Sequence, residues 1–530
     1  MTDLVHELIF TAARRRPEAE ALVHQASRMT YATLAAAVSA GASALLACGV
    51  ARGGRVAVYL DKCPEAVAAM FGASAAGAVM VPINPLLKPE QVAYILADCN
   101  VTVLVTSAER LALLLSTLPG CTDLSTVFVT GASIDGTVTV VPGVQATGWG
   151  TACATAVAGK PHRVIDADMA AILYTSGSTG MPKGVVLSHR NLVIGATSVA
   201  QYLGNTSNDR ILALLPLSFD YGLSQLTTAF HADATVVLLN YLLPRDVFNV
   251  VLAERITGLA AVPPLWLQIA ELAWPRDCSL RYITNSGGAM PGATLARLRS
   301  KLPGATPYLM YGLTEAFRST YLPPEELDRR PDSIGRAIPN AEVLVLRPDG
   351  SFCAPDEPGE LVHRGALVAM GYWNDPARTA ERFRPCPTQH PGLPLAETAV
   401  WSGDTVRVDA DGFLFFISRT DDMIKSSGYR ISPTEVEEVL YAQPAVAEAA
   451  AIGMPHPALG HAIVAIVTLR EGQSLDGAAL LAACRPHLPT YMLPSQVLIR
   501  TGSLPRNPNG KIDRPLLRSQ LHAVFAEAAE

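Results

Sequence analysis

Short apolar runs alternate with helix-like stretches along the first 160 residues. Val56-Ala-Val-Tyr-Leu60 is followed by helix-like Pro64 to Gly77, then by Val79-Met-Val81. Val101-Thr-Val-Leu-Val-Thr106 precedes helix-like Ala108 to Leu118. This alternation predicts βαβ units and a parallel sheet, hence an α/β fold. Similar units recur from Ile211 to Thr284, as in Thr235-Val-Val-Leu-Leu239. Pro142 to Val164, rich in Gly, Ala and Thr, reads as connection. Ala66 to Ile83 is the longest apolar candidate for a membrane span. Ser74 and Pro82 interrupt it, and a span needs about 20 strongly apolar residues, so a buried helix and a strand are expected there.

The texture changes after about residue 330. Glu342-Val-Leu-Val-Leu346, Gly359-Glu-Leu-Val-His363 and Gly412-Phe-Leu-Phe-Phe416 are short strands between turn signals such as Pro348-Asp-Gly350. They predict a small antiparallel or barrel-like unit. Beyond residue 421 the pattern is α+β: helix-like Pro433 to Gln443, strand-like Ile463 to Leu469, helix-like Leu475 to Arg485. At 530 residues the chain is long enough for several domains. A net charge of −6 argues against nucleic acid or an anionic membrane as main partner. Nine cysteines without a C-x-x-C pair, and an acidic start Met1-Thr-Asp-Leu-Val-His-Glu7, suit a reducing, cytoplasmic setting.

The sharpest local signal is Leu173-Tyr-Thr-Ser-Gly-Ser-Thr-Gly-Met-Pro-Lys-Gly-Val185. A strand, Ala170 to Tyr174, runs into six small residues, Thr175 to Gly180. Glycines let backbone N–H groups approach a phosphate, hydroxyls add donors, and Lys183 adds charge. The loop lacks the Gly-Lys offset of a Walker A motif, and no Gly-x-Gly-x-x-Gly fingerprint follows a strand. This loop resembles that of the adenylate-forming superfamily, which includes acyl-CoA synthetases, luciferases and the adenylation domains of peptide synthetases. Four further segments resemble that superfamily's motifs, in its order: Tyr311-Gly-Leu-Thr-Glu315, Trp401-Ser-Gly-Asp404, Arg419-Thr-Asp-Asp-Met-Ile-Lys-Ser-Ser-Gly428 and Pro505-Arg-Asn-Pro-Asn-Gly-Lys511. Ser418 stands where the superfamily usually has Gly. The chain is identified as a member on these segments together.

The resemblance implies a large N-terminal domain (1–420) of mixed parallel sheets with helices, carrying a β-barrel-like subdomain (about 331–420). It also implies a small mobile α+β lid (421–530). It implies ATP and Mg²⁺, a carboxylate substrate joined to the α-phosphate with loss of pyrophosphate, and a thiol that then takes the acyl group. Thr175, Ser176, Gly177, Ser178, Thr179, Gly180 and Lys183 would cover the β- and γ-phosphates. Thr314 would contact the α-phosphate and Glu315 would hold Mg²⁺, a hard cation that takes oxygen ligands. Tyr311 and Gly287-Gly288-Ala289 would sandwich adenine. Asp404 would accept from the ribose hydroxyls beside Arg419. Lys511 would enter during adenylation, Asp421 would be the hinge, and Gly428 would line the pantetheine path.

Leu215-Pro-Leu-Ser-Phe-Asp-Tyr-Gly-Leu223 bears on the acid. Phe219-Asp220 resembles the Phe-Asp of amino-acid-activating domains, where Asp pairs with the substrate ammonium; a helix-capping Asp is the other reading. Tyr221, Ser224, Ala261, Thr284, Ser286, Met310, Arg318 and Ser319 would surround the side chain. Arg318 admits two readings, partner of an acidic substrate group or a structural arginine bonded to carbonyls. A β-amino acid, proline and a small α-amino acid stay unranked. Only 19 residues follow Lys511, too few for a fused carrier domain, so the acceptor is expected in trans: a carrier protein's phosphopantetheine arm, or CoA. An AMP-forming acyl-CoA synthetase acting on an amine-free acid is the alternative.

Overall fold

A computed structural model describes residues 2–131, 136–157, 159–175, 182–288, 290, 292–388, 392–419, 424–431, 433–505 and 512–521. Among these residues the strands form three sheets. In the first, Arg55–Tyr59, Val79–Pro82 and Val101–Ser107 lie parallel, and Met169–Thr175 forms an antiparallel pair with Lys183–Ser188. In the second, Glu20–His24, Thr235–Leu238, Arg210–Ala213, Gly258–Ala261, Tyr282–Asn285 and Thr306–Tyr311 run parallel in that spatial order. The third is a small sheet within residues 424–500.

Helix Pro64–Ala76 is apolar on every side, and every residue from Ala66 to Ala76 is buried. A helix without a polar face must be covered all round. It packs on helix Tyr31–Ala47, where Gly41 and Gly72 permit backbone contact: a Cβ on Gly72 would lie 3.2 Å from Ala42 N. The same core takes Val56 and Met80 from the first sheet and Leu22 and Val236 from the second, so the helix pair sits between the two sheets. No helix among the described residues is long and apolar enough to cross a membrane.

Two expectations change. The segment 142–164 is more than connection. Val144–Gly148 pairs with Thr126–Thr130, and helix Trp149–Thr155 follows, with Trp149 buried against Phe128. The strand is short and its alternation (Val144 and Ala146 in, Gln145 out) is hidden among turn-forming residue types. The antiparallel strands after residue 330 are also not set apart by hydrogen bonding. Ser333–Ala337 pairs with Thr320–Leu322 on one side and Leu414–Arg419 on the other, so they continue the second sheet.

Candidate active site

Thr175 and Lys183 face each other across the antiparallel pair, so the ends of the glycine-rich loop are fixed. Ser176 to Gly180 lie outside the described residues. Gly184 is required by packing, since a Cβ there would lie 2.7 Å from Ile172. Thr175 Oγ1 is buried without a hydrogen-bond partner among the described residues. Lys183 Nζ lies 2.9 Å from Glu315 Oε1. Both meet Tyr372: its hydroxyl accepts from Lys183 at 2.8 Å and donates to Glu315 Oε1 at 2.7 Å. Burial and the adjacent carboxylate push the Tyr372 phenol far above its usual value, so it stays protonated and can donate. Thr314 and Glu315 share one 3₁₀ turn, Thr314–Ala316, directly after the strand Thr306–Tyr311. One buried carboxylate beside Lys183, at the end of the glycine-rich loop, fits Mg²⁺, which is commonly held by one or two carboxylates and substrate phosphates.

Tyr311 ends its strand and donates its hydroxyl to Asp404 Oδ2. Asp404 stands opposite Arg419 in the pairing of Thr398–Val408 with Leu414–Arg419. His363, which carries no motif signal, stacks near Tyr311 with centroids 6.4 Å apart. Burial lowers its pKa to about 4, so it is neutral near pH 7, and neither ring nitrogen has a hydrogen-bond partner among the described residues. Gly287 has φ +80° and Gly288 O accepts from Asn285 Nδ2. Ala289, Asp421 and Lys511 lie outside the described residues, as does the Arg419 side chain.

The segment from Leu215 to Leu223 leads into helix Asp220–His231, with Phe219 as N-cap. Asp220 is therefore the first helical residue, and no side-chain cap is made at this end. Its carboxylate has no hydrogen bond or ion pair among the described residues. Asp220, Ser224 and Thr228 are four apart, so they form one stripe along the helix. Ser224 and Thr228 line a cavity of about 30 Å³, with Tyr221, Thr284, Met310 and Arg318. Asp220 stands one turn toward the N-terminal end, about 6 Å along the axis. Tyr221 OH is 2.7 Å from Thr284 Oγ1. Ala261 does not line this cavity. It packs into the core on the other face of its strand, and its neighbour Ala260 faces the cavity, as a two-residue period requires. Ser286 and Ser319 are buried nearby but not in the cavity wall.

Arg318 is 4% exposed and holds φ +97°, a conformation that costs a bulky residue about 1–3 kcal/mol. Its guanidinium lies 4.3 Å over the Tyr221 ring. Nε is buried without a partner, and no carbonyl accepts from this side chain among the described residues. A desolvated cation–π contact is worth about 2 kcal/mol, whereas burying a lone charge costs several.

The small C-terminal sheet closes over this end of the molecule. Tyr429 meets Phe219 edge-on at 5.3 Å and stacks on Tyr491 at 3.7 Å. Gly428, at φ +83° between strands Ile424–Ser426 and Tyr429–Ile431, is more than a turn glycine. A Cβ on it would lie 2.7 Å from Val262 Cγ1, and the Cβ position of Gly287 is 3.6 Å from Gly428 Cα.

The profile described as "AMP-binding enzyme" matches residues 9–373, and "AMP-binding enzyme C-terminal domain" matches 435–511. The chain belongs to the AMP-binding enzyme family. It is similar to an L-proline–[L-prolyl-carrier protein] ligase of Streptomyces coelicolor, 35% identical over 92% of this chain and 91% of the relative. It is also similar to a feruloyl-CoA synthase of an Amycolatopsis species, 32% identical over 94% and 95%. Among solved structures, an o-succinylbenzoate CoA synthetase of Bacillus subtilis bound to a CoA product analogue superposes with TM-score 0.83, at 28% identity over 96% and 97% of the chains. The same synthetase holding its acyl-adenylate superposes at 0.68, at 28% identity over 97% of each chain. This AMP-binding enzyme is an adenylate-forming acid–thiol ligase of mixed α/β fold.

Proposed function

We propose that this enzyme activates the carboxylate of an amino acid with ATP and passes the aminoacyl group to the phosphopantetheine thiol of a separate carrier protein. A carboxylate oxygen attacks the α-phosphorus and pyrophosphate leaves. The thiol then attacks the acyl carbon and AMP leaves. The observation that carries the amino-acid reading is Asp220, whose carboxylate is unpaired among the described residues one helical turn before Ser224 of the acid cavity. A substrate ammonium there would supply the missing charge. The carrier-protein half is supported by the likeness to the prolyl-carrier ligase.

Thr175 and Lys183 would hold the terminal phosphates, with Ser176 to Gly180. Tyr311, Gly287 and Gly288 would hold adenine, Asp404 and Arg419 the ribose, and Thr314 the α-phosphate. Mg²⁺, held by Glu315 and the phosphates, would offset negative charge on the leaving pyrophosphate. Lys511 would stabilise charge around the α-phosphate, Asp421 would be the hinge, and residues 421–530 would be the lid that turns on the N-terminal domain (1–420) between half-reactions. ATP–pyrophosphate exchange tests the reading against proline, α- and β-amino acids, and fatty and aryl acids. Exchange with an amino acid, lost at least a hundred-fold in Asp220→Ala, is expected. The second reading is an acyl-CoA synthetase, favoured by the comparable identity to the feruloyl-CoA synthase. Exchange confined to amine-free acids, unchanged in Asp220→Ala, would replace the first reading by the second.

A further inference from the structure

Two charged side chains of opposite sign bear on the cavity: Arg318 in its lining, and Asp220 one helical turn before the lining residue Ser224. The Asp220 carboxylate has no partner among the described residues. Inside, Arg318 lines the cavity with its guanidinium over the Tyr221 ring and Nε unbonded. The side chain is 4% exposed, so solvent does not neutralise it. The positive φ at Arg318 follows another at Phe317, so the backbone is held out of its preferred region to aim this side chain inward. Around it, Ser224, Thr228 and Thr284 supply hydroxyls. The cavity, about 30 Å³, has room for a group of a few heavy atoms. A buried cation with hydroxyl neighbours and no bonded carboxylate among the described residues favours an anionic ligand.

We propose that Arg318 recognises an anionic group on the far end of the substrate, making the preferred acid a short acidic amino acid of the aspartate type. The substrate's ammonium meets Asp220, its side-chain carboxylate meets Arg318, and the carboxylate to be activated is left toward the nucleotide. The inference rests on the amino-acid reading of Asp220 for the ammonium, but the anion site itself does not.

The test is ATP–pyrophosphate exchange by the full-length wild-type enzyme with aspartate, asparagine, alanine, proline, succinate and malonate. The pair aspartate and asparagine differs in charge at nearly constant shape, so its ratio reads the anion site without any variant. Aspartate is expected to exceed asparagine and alanine by about a hundred-fold or more in kcat/KM, the scale on which a site with an unmet polar group rejects the wrong analogue. Arg318→Gln should shrink that ratio toward one, and Arg318→Lys should keep part of it. If alanine, proline or asparagine equals aspartate, the anion site is overturned while the amino-acid reading stands. If succinate or malonate is used, aspartate is not, and Arg318→Gln abolishes the use, the anion site stands and the Asp220 reading falls. If none of these six acids exchanges and only the fatty or aryl acids of the wider panel do, both fall.

Discussion

At the scale of single residues, the site depends on side chains that meet from distant parts of the chain. Tyr372 is 189 residues from Lys183 yet bonds to both Lys183 and Glu315. Tyr372→Phe removes a hydroxyl bonded to two charged groups, which costs about 1–3 kcal/mol. Urea unfolding should show that loss, and the KM for ATP should rise several-fold, since Lys183 is no longer held toward the loop. An unchanged KM would mean that Tyr372 serves only the fold. Lys183, Glu315, Asp220 and Arg318 were legible because each sits in or beside a short motif. Tyr372 and His363 were not. They reach the site through pairings of Gly371–Tyr372 and Gly359–Gly365 that no local pattern announces.

At the scale of elements, the decisive contact is the hairpin turn at Gly428 against Val262. Gly428→Ala adds a methyl 2.7 Å from Val262 Cγ1 and also strains a positive φ. Gly472→Ala is the control: it sits at φ +78° in the C-terminal part with nothing within 4 Å of the added Cβ. Gly428→Ala should slow thioester formation at least ten-fold and leave pyrophosphate exchange within about two-fold, whereas Gly472→Ala should slow neither. Single-turnover assays of the two half-reactions decide it, and equal loss in both would detach Gly428 from the thiol step. Parallel strands and buried helices were readable because their apolar runs are long. The strand Val144–Gly148 was not, because five residues with three buried positions, one of them a glycine, carry little signal. The choice between Ala260 and Ala261 was beyond reach too, since a one-residue register step turns every side chain to the other face.

Across the whole molecule, three histidines held neutral by desolvation set an acid limit. Burial lowers His6, His189 and His363 to about 4, and all three are neutral when folded at pH 7. The unfolded chain binds protons at these sites from about pH 6.5 downward, so stability falls as pH drops below 6.5 and the fall levels off near 4. Urea midpoints should drop between pH 7 and 5, where most carboxylates are still ionised. His363→Gln should flatten part of that slope, and a flat wild-type profile would show that these rings find proton acceptors.

The second sheet also links the ends of a long span: Thr235 Oγ1 donates to the carbonyl of Glu20, 215 residues earlier, in the parallel pairing of Glu20–His24 with Thr235–Leu238. On a ribosome adding 5–20 residues each second, the first strand waits roughly 10–40 s before its neighbour exists. Until then its apolar Ala21, Leu22 and Val23 have no cover from that side. Heterologous yield should accordingly depend on translation speed and chaperone supply more than on the stability of the finished enzyme.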